Sequence, residues 1–310
     1  MIDKPGLYDI ADADYHADPV VGPSLSSSIV KLLDQQTPLH AWQAHPRLNP
    51  QFVEKRSKQF DIGSACHELV LRGDSARFAV INALDYRTKH AQELREDAYE
   101  NRQIPILVDQ AASATRMETK VRQFLIESEQ LVGVFAPGHG EPEKTLVWRE
   151  DIVSDAIGVA TVWCRAKLDW LPTVTNSHFF WDFKSTDGSA EPESWLRRCC
   201  FPLGFDLQAA FYLRGIRAVL GYDDAQFGFI VAEQNEPHAC SAIGLPPAVI
   251  AAADERVERA IMLWARCLAT KRWPGYPSTI WWGAETPPWL RARAESAGII
   301  DKLAATGVGI

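Results

Sequence analysis

The hydrophobic period of this chain changes twice along its length, and that limits the folds open to it. In the first third, apolar residues recur at helical spacing. Residues 24–28 are Ser-rich and read as a helix start, with hydroxyls to cap free N–H groups; Ile29, Leu32 and Leu33 supply the apolar face. Pro38 ends that helix, and residues 39–45 form a second, stopped by Pro46. Residues 63–73 read as a buried helix between two glycines, 85–102 as a charged, solvated helix, and 108–131 as a longer helix with Ala111, Ala112, Thr115, Val121, Phe124 and Leu125 toward the core.

After a loop at 137–142 the pattern becomes β-branched and aromatic. Residues 144–148, 159–170 and 179–185 are expected to be consecutive strands of one sheet. Helix returns from Glu193, breaks at Pro202-Leu203-Gly204 and resumes over 205–220. A strand at 227–233 and a long amphipathic helix at 246–269 follow. The Trp- and Pro-rich tail, 273–289, is expected to pack irregularly over the body. Helices, then strands, then helices predict an α/β (α+β) fold with a central sheet.

The 310 residues suffice for one large domain with a full core. No apolar run approaches the roughly 20 residues of a membrane helix, which speaks against an integral membrane protein. Met1-Ile2-Asp3-Lys4-Pro5 lacks a basic segment followed by an apolar one, so no secretory leader is expected. None of the six cysteines has C-x-x-C spacing, which argues against a zinc ribbon; all six read as reduced thiols in a cytoplasm. The net charge of -8 speaks against a general nucleic-acid coat, whose surface should be basic. It leaves room for an enzyme with carboxylates at a metal site and basic groups along a substrate groove. Residues 138–145 almost spell a phosphate-binding loop. Glu143 stands where glycine must precede the lysine, and a β-like run follows where a helix should start, so no ATP site is expected.

Chemistry concentrates in Arg165-Ala-Lys-Leu-Asp169-Trp170 and Trp181-Asp182-Phe183-Lys184. Between Asp169 and Asp182 there is room for one strand to end and a second to return alongside. In the second strand Asp182 and Lys184 share a face, while Trp181 and Phe183 point into packing. Such a pair can be a plain salt bridge on a half-exposed sheet. With Asp169 at the same face it also suits Mg²⁺, a hard ion that prefers oxygen ligands, with a lysine to orient or deprotonate a water. His67 lies mid-helix in the 63–73 segment, and Gln208 and Tyr212, four apart, share a helix face.

The order Gly-x-x-x-His, Asp, Asp-x-Lys, Gln-x-x-x-Tyr resembles the PD-(D/E)XK nuclease superfamily in its RecB-like branch. The flanking blocks over residues 15–235 are similar to phage and prophage exonucleases of the exonuclease VIII (RecE) type. That resemblance implies a restriction-endonuclease-like core, a central mixed β-sheet flanked by helices with a helical N-terminal part, as a single domain over 1–310. Residues 236–310 would add a C-terminal helix and tail. It implies Mg²⁺, with Mn²⁺ able to substitute, held by His67, Asp169, Asp182 and the Phe183 main-chain carbonyl. Lys184 would act on the attacking water, and Glu143 would be an accessory acidic residue. Gln208 and Tyr212 would support the site or contact DNA. Leu168 stands where the proline of the motif name would be.

The implied activity is ATP-independent resection of linear duplex ends, 5′ to 3′, leaving 3′ single strands for recombination. The implied partners are double-stranded DNA ends and a RecT/Red-beta-like single-strand annealing protein. A ring-like homo-oligomer in the cytoplasm of a bacterial host, phage or prophage encoded, completes the expectation. Alternatives are an iron–sulfur RecB-like nuclease, whose usual C-terminal cysteine cluster is not found here, and a catalytically inactive DNA-end-binding module on the same fold.

Overall fold

A computed structural model describes residues 1–53, 61–73, 77–101, 103–155, 157–173, 178–280 and 288–296. Parts of two expected segments, the end of the 85–102 helix (102) and part of the tail (281–287), lie outside the described residues. Residues 1–275 form one compact unit. Residues 276–310 form another, whose described part includes the helix α10 (Pro288–Ser296).

In the first unit, β1 (Gly6–Asp9) and α1 (Asp12–His16) precede α2 (Ser27–Gln35) and α3 (Pro38–Ala44). Next come α4 (Asp61–Arg72), β2 (Phe78–Ile81), α5 (Lys89–Glu100), β3 (Ile104–Leu107) and α6 (Val108–Ile126). Then follow β4 (Gly140–Ser154), β5 (Gly158–Pro172), β6 (Phe179–Thr186), the single turn α7 (Pro192–Trp195) and a π-helical turn at Leu196–Cys200. The unit closes with α8 (Phe205–Leu220), β7 (Gln226–Glu233), β8 (Cys240–Gly244) and α9 (Pro247–Thr270). This is the mixed α/β architecture, sheets flanked by helices, that the sequence predicts.

Two apolar cores clad the strands. One packs α2, α8 and α9 against Phe180, Phe227, Phe229 and Val231; the other packs α4 and α6 against Phe183, Ile230 and Ala232. Neighbouring residues of β7 thus enter opposite cores, as expected of a parallel strand buried on both faces.

The single sheet expected for β4, β5 and β6 is instead two. β4 pairs antiparallel with β1 and β5, whereas β6 pairs parallel with β7 and β7 antiparallel with β8. At the join, the Asp169 carboxylate takes the Phe183 N–H at 2.8 Å, the kind of bond a ladder carbonyl would otherwise accept. β4 also begins earlier than expected: Gly140 to Pro142, read as loop, pair with Pro172 to Trp170. β1 and a small parallel pair, β2–β3, are not among the expected strands. α6 stops at Ile126 rather than near 131. Trp273 packs edge-on against Trp264 at 5.1 Å, so the start of the tail does lie on the body.

The hydroxyls expected to cap α2 do not. Ser24 Oγ donates to Asp18 at 2.5 Å, and Ser26 Oγ pairs with Ser28 Oγ at 2.9 Å. Asp18 is the centre of a buried cluster: Arg165 Nη1 lies 3.1 Å from it and His45 Nε2 3.3 Å. His45 Nδ1 accepts from the Arg47 N–H, so the ring hydrogen sits on Nε2, facing Asp18 and the Ser24 carbonyl.

Candidate active site

The site forms where the two sheets meet. Leu168 packs into the first core and Trp170, two residues on, into the second, so β5 turns over at Asp169. On β4 the matching irregularity is Glu143. It lies between the pairs Pro142–Trp170 and Lys144–Leu168, is itself unpaired, and has φ of 53°. A non-glycine residue in that left-handed region costs about 1 kcal/mol or more and persists only where its surroundings hold it. Arg72, from the last turn of α4, grips the Glu143 carboxylate and also lies 3.1 Å from Glu68.

Helix α4 reaches this junction because Gly63 has no side chain. A Cβ there would stand 2.8 Å from Ser185 Oγ on β6. One turn later His67 meets the end of β5, with Nε2 3.2 Å from Asp169 Oδ2. The glycine and the histidine of the motif are thus one device: the first lets the helix approach, the second uses the approach.

Asp182 is 1% exposed. Gln208 Nε2 donates to its Oδ1 at 2.7 Å, and Lys184 forms an ion pair with its Oδ2. The same-face placement of Asp182 and Lys184 is as expected. Tyr212, one turn beyond Gln208, is buried close to Ser27 of α2. His67, Asp169, Asp182, Lys184, Gln208 and Tyr212 are therefore brought to one region. Glu143 stands behind His67, close enough to raise its pKa.

The electrostatics divide the two carboxylates. Burial and the charge of Asp169 push Asp182 up to about 6, against the pull of Lys184. Burial also opposes ionisation of Asp169, but His67 and Lys184 outweigh it and hold its pKa below the ordinary value. Burial likewise disfavours charge on His67 and Lys184; Asp169 raises the first and Asp182 with Asp169 the second. Lys184 is thus held as an ammonium, suited to orienting a water or stabilising phosphoryl charge rather than taking a proton.

Among the described residues no three His, Cys, Asp or Glu side chains converge as a ready ligand set; each carboxylate instead has its own cation. The chemistry still fits a hard divalent ion: two mutually repelling carboxylates, one of them almost fully buried, beside an imidazole.

Two participants escaped the sequence reading. One is Arg72, which fixes Glu143. The other is Lys31 on α2, whose Nζ lies 3.4 Å from Gln208 Oε1. Lys31 had a signal, a lone cation inside the apolar run Ile29-Val30-Lys31-Leu32-Leu33. Lys144, the lysine of the near-miss phosphate loop, sits in mid-strand, paired with Asp9 and Glu141.

The family described as "PDDEXK-like domain of unknown function (DUF3799)" matches residues 26–280. The chain belongs to this family. The PDDEXK-like match spans the elements that carry His67, Asp169, Asp182, Lys184 and Gln208, and agrees with the motif order read from the sequence. A solved structure from Eubacterium rectale, described as a "Putative exonuclease", is similar in fold: TM-score 0.54 at 12% identity, covering 90% of this chain and 96% of that one. A phage related exonuclease from Haemophilus somnus scores 0.27 at 13% identity over 67% of this chain and 95% of its own, too low to bear on the fold. No curated protein matches the chain. Among the described residues no helix is long and apolar enough to cross a membrane.

Proposed function

We propose that this PDDEXK-like protein is a Mg²⁺-dependent, ATP-independent exodeoxyribonuclease acting on linear duplex ends. The observation that carries this reading is the meeting of His67 with Asp169, beside Asp182 and Lys184, from segments over 100 residues apart in sequence. His67, Asp169, Asp182 and the Phe183 carbonyl would hold the cation. When bound, the cation supplies Lewis acidity at the phosphoryl group and makes water a better nucleophile at neutral pH. Lys184 stabilises the charge that develops on the phosphoryl oxygens. Gln208 fixes the Asp182 carboxylate, and Tyr212 braces the helix against α2. The exonuclease VIII-type resemblance adds the finer expectations: 5′ to 3′ polarity, 3′ single strands passed to an annealing protein, a ring-like homo-oligomer, and action in a bacterial cytoplasm.

Incubation with linear and closed-circular duplex in Mg²⁺, without ATP, tests the reading. Linear DNA should be degraded and circles left intact; full activity in EDTA, or equal attack on circles, overturns it.

Proton competition gives a second expectation. A ligating histidine or carboxylate must lose its proton. Asp182 is pushed up to about 6 and His67 lies above its usual 6.5. Metal affinity should therefore rise with pH, the slope of its logarithm approaching about 2 below pH 6. His67→Ala should lower that slope by about 1, as read by calorimetric Mn²⁺ titration across pH. A pH-independent affinity would remove these groups from the ligand set.

A further inference from the structure

Among the described residues Lys31 is a cation in no ion pair, at a site crowded with charge. Its Nζ stands 4.6 Å from the centre of the Phe205 ring, and Lys184 Nζ stands 5.0 Å from the same ring. Two ammonium groups thus approach one aromatic ring beside Asp182. Lys184 is compensated by Asp182. Among the described residues Lys31 is paired with no carboxylate: the nearby Asp206 is bonded by Arg256 at 2.8 Å, and Asp182 by Lys184 and Gln208. The polar contact of Lys31 is a neutral amide oxygen, Gln208 Oε1. An ammonium has three N–H donors, so two remain for a ligand. Burial and the nearby Lys184 lower the Lys31 pKa to about 8, against the weaker pull of Asp182 and Asp206, neither of which pairs with it directly.

The proposed reaction brings a nucleic-acid strand, itself a chain of anions, to Asp182, beside which Lys31 stands. We propose that Lys31 binds a non-bridging oxygen of a backbone phosphate of the bound DNA strand, forming with Lys184 a two-lysine clamp across Phe205. This rests on the nuclease reading and deepens it by naming a substrate contact outside the family motif. The stem of Lys31 has a separate task. It packs over Gly204, where a Cβ would stand 3.1 Å from Lys31 Cγ, so a variant should keep the stem and lose only the charge.

The test is equilibrium binding of a labelled linear duplex in EDTA, which stops cleavage, across a KCl series. Each phosphate contact contributes about 0.9 to the slope of log affinity against log salt. Lys31→Met should weaken binding several-fold, irrespective of DNA sequence, and lower the slope by about 1. Lys31→Arg should keep the wild-type slope, and both variants should melt near wild type. If Lys31→Met folds poorly, Lys31→Gln is read the same way. An unchanged slope and affinity in the neutral variant, with wild-type cleavage intact, overturns the Lys31 contact and leaves the nuclease reading standing. Wild-type protein that neither binds nor cuts duplex DNA overturns both.

Discussion

Asp182→Asn should abolish cleavage of linear duplex while leaving the protein folded. Asparagine has the same shape and can still accept the Gln208 N–H that now reaches Oδ1 at 2.7 Å. What it lacks is the negative charge that partners Lys184 and would help hold the cation. Loss of one preorganised electrostatic group at a reacting centre costs about 10²–10³ in rate, and this residue has two such tasks, so a loss of at least about 10³-fold is expected. Stability should not follow activity. The folded pKa of Asp182 is raised, so the ionised carboxyl carries a burial cost above about pH 6 that disappears as pH falls. A neutral amide escapes that cost, although Lys184 loses a partner. Single-turnover digestion alongside a thermal melt decides the matter. A variant that cuts at near wild-type rate would reduce the Asp182–Lys184 pair to a salt bridge.

The converse pattern, stability lost at a distance from the chemistry, is expected at Asp18. Its carboxylate faces Arg165, itself only 4% exposed, together with Ser24 and His45. Asp18→Ala leaves that guanidinium buried without its partner, a change that costs about 3–5 kcal/mol. The melting midpoint should fall by about 10 °C. In Asp18→Ala/Arg165→Met the orphaned charge is gone, so part of the loss should return, and a double-mutant cycle measures how much. Burial works against ionisation of Asp18, but His45, Arg165 and Ser24 prevail and hold its pKa low. Its stabilising contribution is therefore present above the ordinary carboxylate value of 3.8 and is lost as pH falls through the lower folded value. A midpoint unchanged in Asp18→Ala would show the cluster to be energetically idle.

These residues also mark what a sequence can and cannot carry. Asp182 and Lys184 were legible because their relation is local: two residues apart on a strand means one face. His67 was legible through the glycine four positions before it, whose function is the close approach to Ser185. The capping of α2 was misread because Ser24 has a stronger partner in Asp18, itself tied to Arg165 far along the chain; no local rule weighs that competition. The division of the strands into two sheets was hidden for a similar reason. Each strand has the composition of a sheet interior, and only the side-chain bond from Asp169 to the Phe183 N–H marks where backbone pairing gives way. Arg72 was invisible because its partner, Glu143, owes its position to a local backbone twist rather than to strand alternation.

That join has a mechanical consequence. Asp169 and Asp182 are mounted on strands of different ladders, so the gap between the carboxylates belongs to neither ladder. It is set instead by the Asp169–Phe183 bond, which pins the end of one sheet to a strand of the other, and by the two apolar cores that clasp both sheets.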